Sequence, residues 1–348
     1  MANIMLTYRC NLKCPYCFAN EFVNHSKYDI SIENFRKALD FLKTSGNTHI
    51  GLIGGEPTIH DKFREILQIL ADDPSIETVT IYTNGISMDT CLEFLENKKF
   101  SLLINCNSPQ DIGERQFVKI CENLKCVFQI PNVWKRVNLG INLYKNELDY
   151  TYILDLLTLH NLHRVRMSVT VPNMDEGKKA NSLTYLKSRQ DHILRFILDC
   201  ANRDIAPYFD CNIIPQCVWS DDQKQMIESV ISKFKLKNTN LRGDHSFCRP
   251  VIDILPNLTA VRCFGTSDFT KVAIEDFRCL ADLQNYYINL VDCHMTSCME
   301  HVSCRGCYER KTLRCTAGCM AFARNNLLAS ICADDQHHIS YSAEKFSV

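Results

Sequence analysis

Over the first two hundred residues, short apolar, β-rich runs alternate with longer amphipathic ones, and this alternation limits the fold more than any other feature of the chain. Strands are expected at 2–8, 49–54, 76–82, 100–106, 137–144 and 164–171. Helices are expected between them, at 31–45, 61–72, 88–97, 110–124, 147–161 and 182–203. The first helix opens on Ser31 and then places Ile32, Phe35, Leu39 and Leu42 at helical spacing. Strand–helix units with apolar strands imply a parallel sheet covered by helices. Six units fall short of a closed eightfold barrel, so the expected fold is α/β, a partial (β/α)6 TIM-like barrel.

Beyond residue 205 the pattern breaks. The run IAPYFDCNIIPQCVW reads as irregular or extended, and 221–235 reads as one more helix. From Cys248 onward periodicity is weak and cysteines dominate. Such a segment needs metal or covalent staples to hold a fold, which implies a small cysteine-rich, cluster-stapled C-terminal domain. The expected division is a barrel over 1–204, a bridging segment over 205–245, the cysteine-rich domain over 246–335 and a tail over 336–348.

Half of the 20 cysteines lie at or after Cys248. No charged and apolar export signal precedes them, so a cytoplasmic location is expected, where thiols stay reduced. Clustered cysteines in that setting point to metal before disulfides. A net charge of −1 and a pI near 6.8 give no footprint for nucleic acid, and no apolar run is long enough to span a membrane.

Cys10, Cys14 and Cys17 follow the first strand directly, spaced C-x3-C-x2-C. Three thiolates are one short of closing a cluster site, which leaves one iron free for an outside ligand. Zinc also prefers four ligands, and His25 is the nearest further donor. Gly54-Gly55-Glu56-Pro57 ends the second strand. The glycines allow close approach to the backbone, and Glu56 supplies a carboxylate able to receive an ammonium group. Thr83-Asn84-Gly85 ends the third strand, Asn105 and Asn107 the fourth, and Asn142 lies near the end of the fifth. All of these fall on the C-terminal rim of a parallel sheet, where such folds place their sites, although strand-end Asn is as often a turn former.

The C-x3-C-x2-C loop with Tyr16 before its third cysteine, the Gly-Gly-Glu-Pro turn and the Thr-Asn-Gly strand end together resemble the radical S-adenosylmethionine superfamily over residues 3–200. The resemblance implies that Cys10, Cys14 and Cys17 hold a [4Fe–4S] cluster whose free iron binds S-adenosyl-L-methionine. It implies that Gly54, Gly55 and Glu56 hold the methionine ammonium. Thr83, Asn105, Asn107 and Asn142 would make further cofactor contacts. No catalytic residue is assigned.

The C-terminal cysteines resemble the SPASM extension, a twin-cluster module, with C-x2-C-x7-C-x3-C over Cys304, Cys307, Cys315 and Cys319 where the module has a middle gap of five. Pro256-Asn257-Leu258 stands in place of its usual turn glycine. Carried over by position, Cys304, Cys307, Cys315 and Cys332 would hold one auxiliary [4Fe–4S] cluster. Cys248, Cys263 and Cys319 would hold the other, with Cys211, Cys217, Cys293 and Cys298 open as its fourth ligand, or with that position left for a substrate thiolate.

Cys91, Cys106, Cys121, Cys126, Cys200 and Cys279 read as small core residues. Arg305, Arg310, Lys311 and Arg314 read as a solvated loop, and His337 with His338 as a surface tail. The implied function is side-chain modification of a peptide or protein, with a thioether or carbon crosslink on a ribosomal precursor peptide favoured. The alternatives are formylglycine formation of the anaerobic sulfatase-maturase kind and, in another class, a non-catalytic electron carrier or zinc scaffold. Expected partners are the peptide substrate, a flavodoxin or ferredoxin as reductant, and a separate peptide-recognition protein, since the chain starts just before its first strand.

Overall fold

The computed structural model describes residues 2–17, 19, 22–25, 28–171, 182–237, 240–244, 247–267, 270–298, 302–316 and 318–322. Among these, ten strands form one sheet: β1 (Ala2–Met5), β2 (His49–Ile53), β3 (Thr78–Thr83), β4 (Phe100–Asn105), β5 (Val137–Leu143), β6 (Arg164–Val169), β7 (Ala206–Phe209), β8 (Ile252–Ile254), β9 (Thr259–Val261) and β10 (Lys271–Ala273). Their spatial order is β10-β9-β8-β1-β2-β3-β4-β5-β6-β7. From β1 to β7 every neighbouring pair is parallel. The two ends do not meet, so the barrel is open, as six units implied.

Two differences from the sequence expectation matter. The stretch expected to be irregular or extended contains β7, a seventh parallel strand that was not among the six expected. It is short and carries Pro207, which hides it in the sequence but suits an edge strand, where a missing N–H costs no ladder bond. Moreover, β8 pairs in parallel with the other edge of β1, and β9 and β10 continue antiparallel from it. The sheet therefore runs on into the start of the cysteine-rich segment. In the β8–β9 turn, Leu258 adopts a left-handed φ of 65°, the conformation for which glycine is the usual choice.

The helices pack outside. Helix α1 (Ile32–Lys43) is capped by Ser31, whose side chain accepts from the Asn34 N–H at 3.0 Å, and buries Phe35, Ala38, Leu39 and Leu42. Helix α2 (Phe63–Asp72) buries Phe63, Ile66, Leu67 and Leu70. The expected helix at 88–97 is instead two short 3-10 turns, Met88–Thr90 and Leu92–Glu96. Met88, Cys91, Phe94 and Leu95 are still buried there, so the apolar side of the segment is kept although its turns are 3-10. The expected helix over 182–203 breaks into Ser182–Lys187 and Gln190–Asn202.

The outward strand residues Ile4, Leu52, Ile81, Leu102, Ile141 and Met167 are buried under the helices. The inward face carries a polar row, with Met5, Ile53, Tyr82 and Leu103 one step nearer the rim. Register aligns Asp253, Asn3, Gly51, Thr80 and Ser101 in one row across five strands. Asn3 donates to Asp253 at 2.6 Å, and a side chain on Gly51 would overlap Asn3.

Asp253 is buried, and its carboxyl is pushed up to about 7 by desolvation, against the hydrogen bonds from Asn3 and the Phe264 N–H. The native chain thus keeps a proton that the unfolded chain releases near the ordinary carboxylate pKa of about 4. Stability is greatest below that value and falls as pH rises towards 7, by roughly 1.4 kcal/mol per pH unit while the two states differ by one proton. Asp253→Asn is expected to abolish this loss: denaturant unfolding at pH 5 and pH 7.5 should give a falling stability for the wild type and a nearly flat one for the variant. Parallel falls in both would show that Asp253 does not carry the dependence.

Candidate metal and cofactor site

The loop after β1 carries Cys10, Cys14 and Cys17, all half-buried. It is fastened at both ends. Thr7 and Arg9 bind Asp29, the guanidinium through Nε at 3.0 Å and Nη2 at 2.5 Å, and Arg9 also reaches Asp61 at 2.9 Å. The Cys10 N–H donates to Asn24 Oδ1 at 2.9 Å. The Gly-Gly-Glu-Pro turn clasps the loop from the neighbouring strand: the Gly55 N–H donates to Thr7 O and the Glu56 N–H to Arg9 O, both at 2.8 Å. A Cβ at Gly55 would stand 2.3 Å from Arg9 O, so only glycine permits this approach.

Glu56 is fully buried. Its Oε1 accepts from the Thr58 hydroxyl at 2.6 Å, the Thr58 N–H at 3.2 Å and the Thr83 hydroxyl at 2.7 Å, and its Oε2 accepts from the Asn84 N–H at 2.7 Å. Burial pushes the carboxyl up, and these four hydrogen bonds pull it back. The carboxylate therefore ties the ends of β2 and β3 together, and Asn84 passes the tie to the cysteine loop by donating to Asn11 Oδ1 at 2.7 Å.

The strand-end amides have separate surroundings. Tyr16 donates to Asn107 Oδ1 and packs on Tyr144, with ring centroids 4.9 Å apart. Asn142 Oδ1 accepts from Arg166 Nη1 at 3.0 Å and from the Ser168 hydroxyl. Asn105 Oδ1 is buried with no hydrogen-bond partner, beside the bare Cα of Gly140. An unpaired buried carbonyl is costly, and a donor group of a bound ligand satisfies it.

Arg166, which the sequence reasoning passed over, fills the lumen beneath this rim, paired with Asp210 at 2.9 Å and 3.8 Å from Cys211 Sγ. The signal was present in the alternation Arg164, Arg166, Ser168 within a strand otherwise apolar.

Burial pushes the Cys10 thiol up to about 11 and Cys14 to about 12, and the neighbouring charges of Glu56, Asp111 and the other thiols act in the same direction. Such a donor set suits a ligand that brings its own positive charge, as an iron–sulfur cluster does. Among the described residues no three or more Cys, His, Asp or Glu side chains converge closely enough for a single metal ion. A four-iron cube presents a different iron to each cysteine and so takes a wider-set triad.

The remaining cysteines sort into two groups. Cys248 and Cys319 are hydrogen-bonded to each other, which holds Cys248 down and pushes Cys319 up, and Cys263 and Cys211 lie within electrostatic reach of Cys248. Cys217 instead lies with Cys304, Cys307 and Cys315. Pro215 packs on Gly318, its Cγ 3.5 Å from where a Cβ would stand, which brings these two segments together. Cys293 is exposed, the side chain of Cys298 is not among those described, and Cys332, His337 and His338 lie outside the described residues. Of the six expected core cysteines, Cys91, Cys106 and Cys200 are buried, whereas Cys121 and Cys279 are half-buried and Cys126 is exposed. Helix Glu114–Phe128 buries Ile120, Leu124 and Val127, and Cys126 falls off that face. Arg305, Lys311 and Arg314 are exposed and Arg310 is half-buried, as a solvated stretch requires, but Arg310 and Lys311 lie in the one-turn helix Tyr308–Lys311 and not in a loop.

Residues 4–129, the stretch that carries the three-cysteine loop and the Gly-Gly-Glu-Pro turn, match the family model of the Radical SAM superfamily, a domain that implies a [4Fe–4S] cluster and S-adenosylmethionine. Among curated relatives, 7,8-dihydro-6-hydroxymethylpterin dimethyltransferase of Methanocaldococcus jannaschii is 37% identical over 90 residues, 25% of this chain and 18% of the relative. A GTP 3',8-cyclase of Clostridium perfringens is 26% identical over 189 residues, 52% of this chain and 58% of the relative. The matches thus span less than two thirds of either relative. Among solved structures, Streptococcus suis SuiB bound to S-adenosylmethionine superposes with a TM-score of 0.61 at 16% identity, covering 92% of this chain and 72% of that one. The anSMEcpe structure with bound AdoMet and the Cp18Cys peptide gives 0.62 at 15% identity, covering 99% and 98%. At these identities the likeness is one of fold. No helix among the described residues is long and apolar enough to cross a membrane.

Proposed function

We propose that this chain is a radical S-adenosylmethionine enzyme that modifies a side chain of a peptide or protein, with a thioether or carbon crosslink on a precursor peptide favoured. The observation that carries the proposal is the three-cysteine loop clasped by Gly55 and Glu56 on the rim of an open barrel with a polar row in its lumen. Cys10, Cys14 and Cys17 would hold the [4Fe–4S] cluster. Gly54, Gly55 and Glu56 would receive the methionine ammonium, and Asn105, whose Oδ1 lacks a partner, is the best placed of the three amides to contact the remainder of the cofactor. When bound and reduced, the cluster with S-adenosylmethionine supplies a 5'-deoxyadenosyl radical. The protein's part is to position both groups and to keep water from the reacting centre.

A peptide substrate is supported by two similar folds solved with peptides, SuiB with precursor peptide SuiA and anSMEcpe with Cp18Cys. Cys248, Cys263 and Cys319 would hold one auxiliary cluster, with Cys211, within electrostatic reach of Cys248 and Cys263, as candidate fourth ligand. Cys304, Cys307 and Cys315 would hold the other, with Cys217 or Cys332 as the fourth ligand.

The test is anaerobic reconstitution followed by assay for 5'-deoxyadenosine, then mass spectrometry of candidate peptides. Brown protein with about twelve irons fits three four-iron clusters, whereas colourless, zinc-loaded protein overturns the proposal. In Glu56→Gln an amide NH2 replaces an oxygen that accepts from buried donors. The change also removes the negative charge proposed to receive the ammonium, and a hydrogen bond to a charged group is worth about 1.5–3 kcal/mol, so the dissociation constant for S-adenosylmethionine is expected to rise by about tenfold or more in a calorimetric titration. An unchanged constant would remove Glu56 from the pocket.

A further inference from the structure

Arg262 is the largest fully buried side chain among the described residues, wholly shielded between the end of β9 and Cys263. A guanidinium has five N–H donors, and here all five have an acceptor. Nε and Nη2 grip the carboxylate of Asp292 at 2.5 Å and 2.9 Å, and Nη2 also donates to Cys248 O at 2.8 Å. Nη1 is left with two sulfurs, Cys248 Sγ at 3.6 Å and Cys263 Sγ at 3.9 Å. Asp292 thus fixes the plane of the fork, and the end that remains is aimed between two of the four thiols grouped here. A buried guanidinium needs one counter-charge and already has it in Asp292; its contacts with the two sulfurs are surplus to that need.

We propose that Arg262 is a positioning residue for the auxiliary iron–sulfur site, donating to the Cys248 and Cys263 thiolates and raising the reduction potential of the cluster they hold. Hydrogen bonds to ligand sulfurs and a nearby positive charge both stabilise the more negative, reduced cluster. Asp292 opposes the charge while it maintains the aim. The inference rests on the auxiliary cluster proposed above.

The experiment uses full-length protein carrying Cys10→Ala, Cys14→Ala and Cys17→Ala, reconstituted anaerobically with iron and sulfide and titrated with dithionite. The electron paramagnetic resonance signal to follow is the one that Cys263→Ala abolishes. Arg262→Gln is expected to lower the ratio of reduced to oxidised cluster at fixed potential by at least tenfold, which is about 59 mV for a one-electron couple. Asp292→Asn, which uncovers the positive charge, is expected to move the potential the opposite way. A purely structural ion pair predicts no shift, or the same shift, in both variants, and either result overturns the inference. Should Arg262→Gln fail to load iron, Asp292→Asn and Arg262→Lys still decide: no upward shift in the first together with a wild-type potential in the second counts against it. If the starting protein holds no iron at all, the auxiliary-cluster reading itself fails.

Discussion

Replacing Cys10, Cys14 and Cys17 together by alanine is expected to abolish reductive cleavage of S-adenosylmethionine and to remove about four irons per chain, leaving the C-terminal iron in place. The expectation follows from how the loop is held. Its anchors, Arg9 on Asp29, Cys10 N–H on Asn24 and the clasp from Gly55 and Glu56, use backbone atoms or other side chains, so none depends on a cysteine sulfur. The variant should keep the wild-type fold by far-ultraviolet circular dichroism and lose only its chemistry. Iron analysis and chromatography of 5'-deoxyadenosine check both halves. Undiminished cleavage would mean that the cofactor sits elsewhere, and a matching loss of C-terminal iron would mean that the sites are not independent.

The second large effect is expected from one methyl group. In Gly55→Ala the new Cβ falls 2.3 Å from Arg9 O and 2.7 Å from Arg9 C, which are backbone atoms that cannot rotate away. Either the loop or the turn must move, and both bear proposed cofactor residues. Overpacking of this kind costs about 1–3 kcal/mol. Because the strain falls on the clasp, it should appear mainly as lost function. The variant should load about four fewer irons and bind S-adenosylmethionine at least tenfold more weakly, with the C-terminal iron retained. Wild-type binding by Gly55→Ala would show that the turn is not what holds the loop.

Most of the barrel was legible because its signals are local. Apolar runs gave β1 to β6, Ser31 gave the start of α1, and motif order gave the rim. The losses share a cause, which is that pairing partners are distant. β7 is four residues long and contains Pro207, so its assignment comes from β6 and not from its own composition. β8 is three residues long, and nothing in Ile252–Ile254 points to β1. Within the site, sequence named the groups and the fold set their tasks. Glu56 was legible as a carboxylate able to receive an ammonium group, but not its second task, accepting four hydrogen bonds from Thr58, Thr83 and Asn84 that tie β2 to β3. Asn105, Asn107 and Asn142 looked alike in sequence, and only Asn105 keeps an unpartnered oxygen. Arg262 was overlooked because it neighbours a cysteine, and its burial becomes visible only when Asp292 closes over it.

The pairing of β8 with β1 bears on the order in which the molecule can be made. Asn3 and Asp253 are hydrogen-bonded partners 250 residues apart. As the chain leaves the ribosome, β1 can acquire β2 early, but its other edge stays bare until Ile252–Ile254 has emerged. While the residues between β2 and β8 are being made, the strand that leads into the three-cysteine loop is an open template for any passing strand. Docking of β8 covers that edge and brings the first of the late cysteines in the same event.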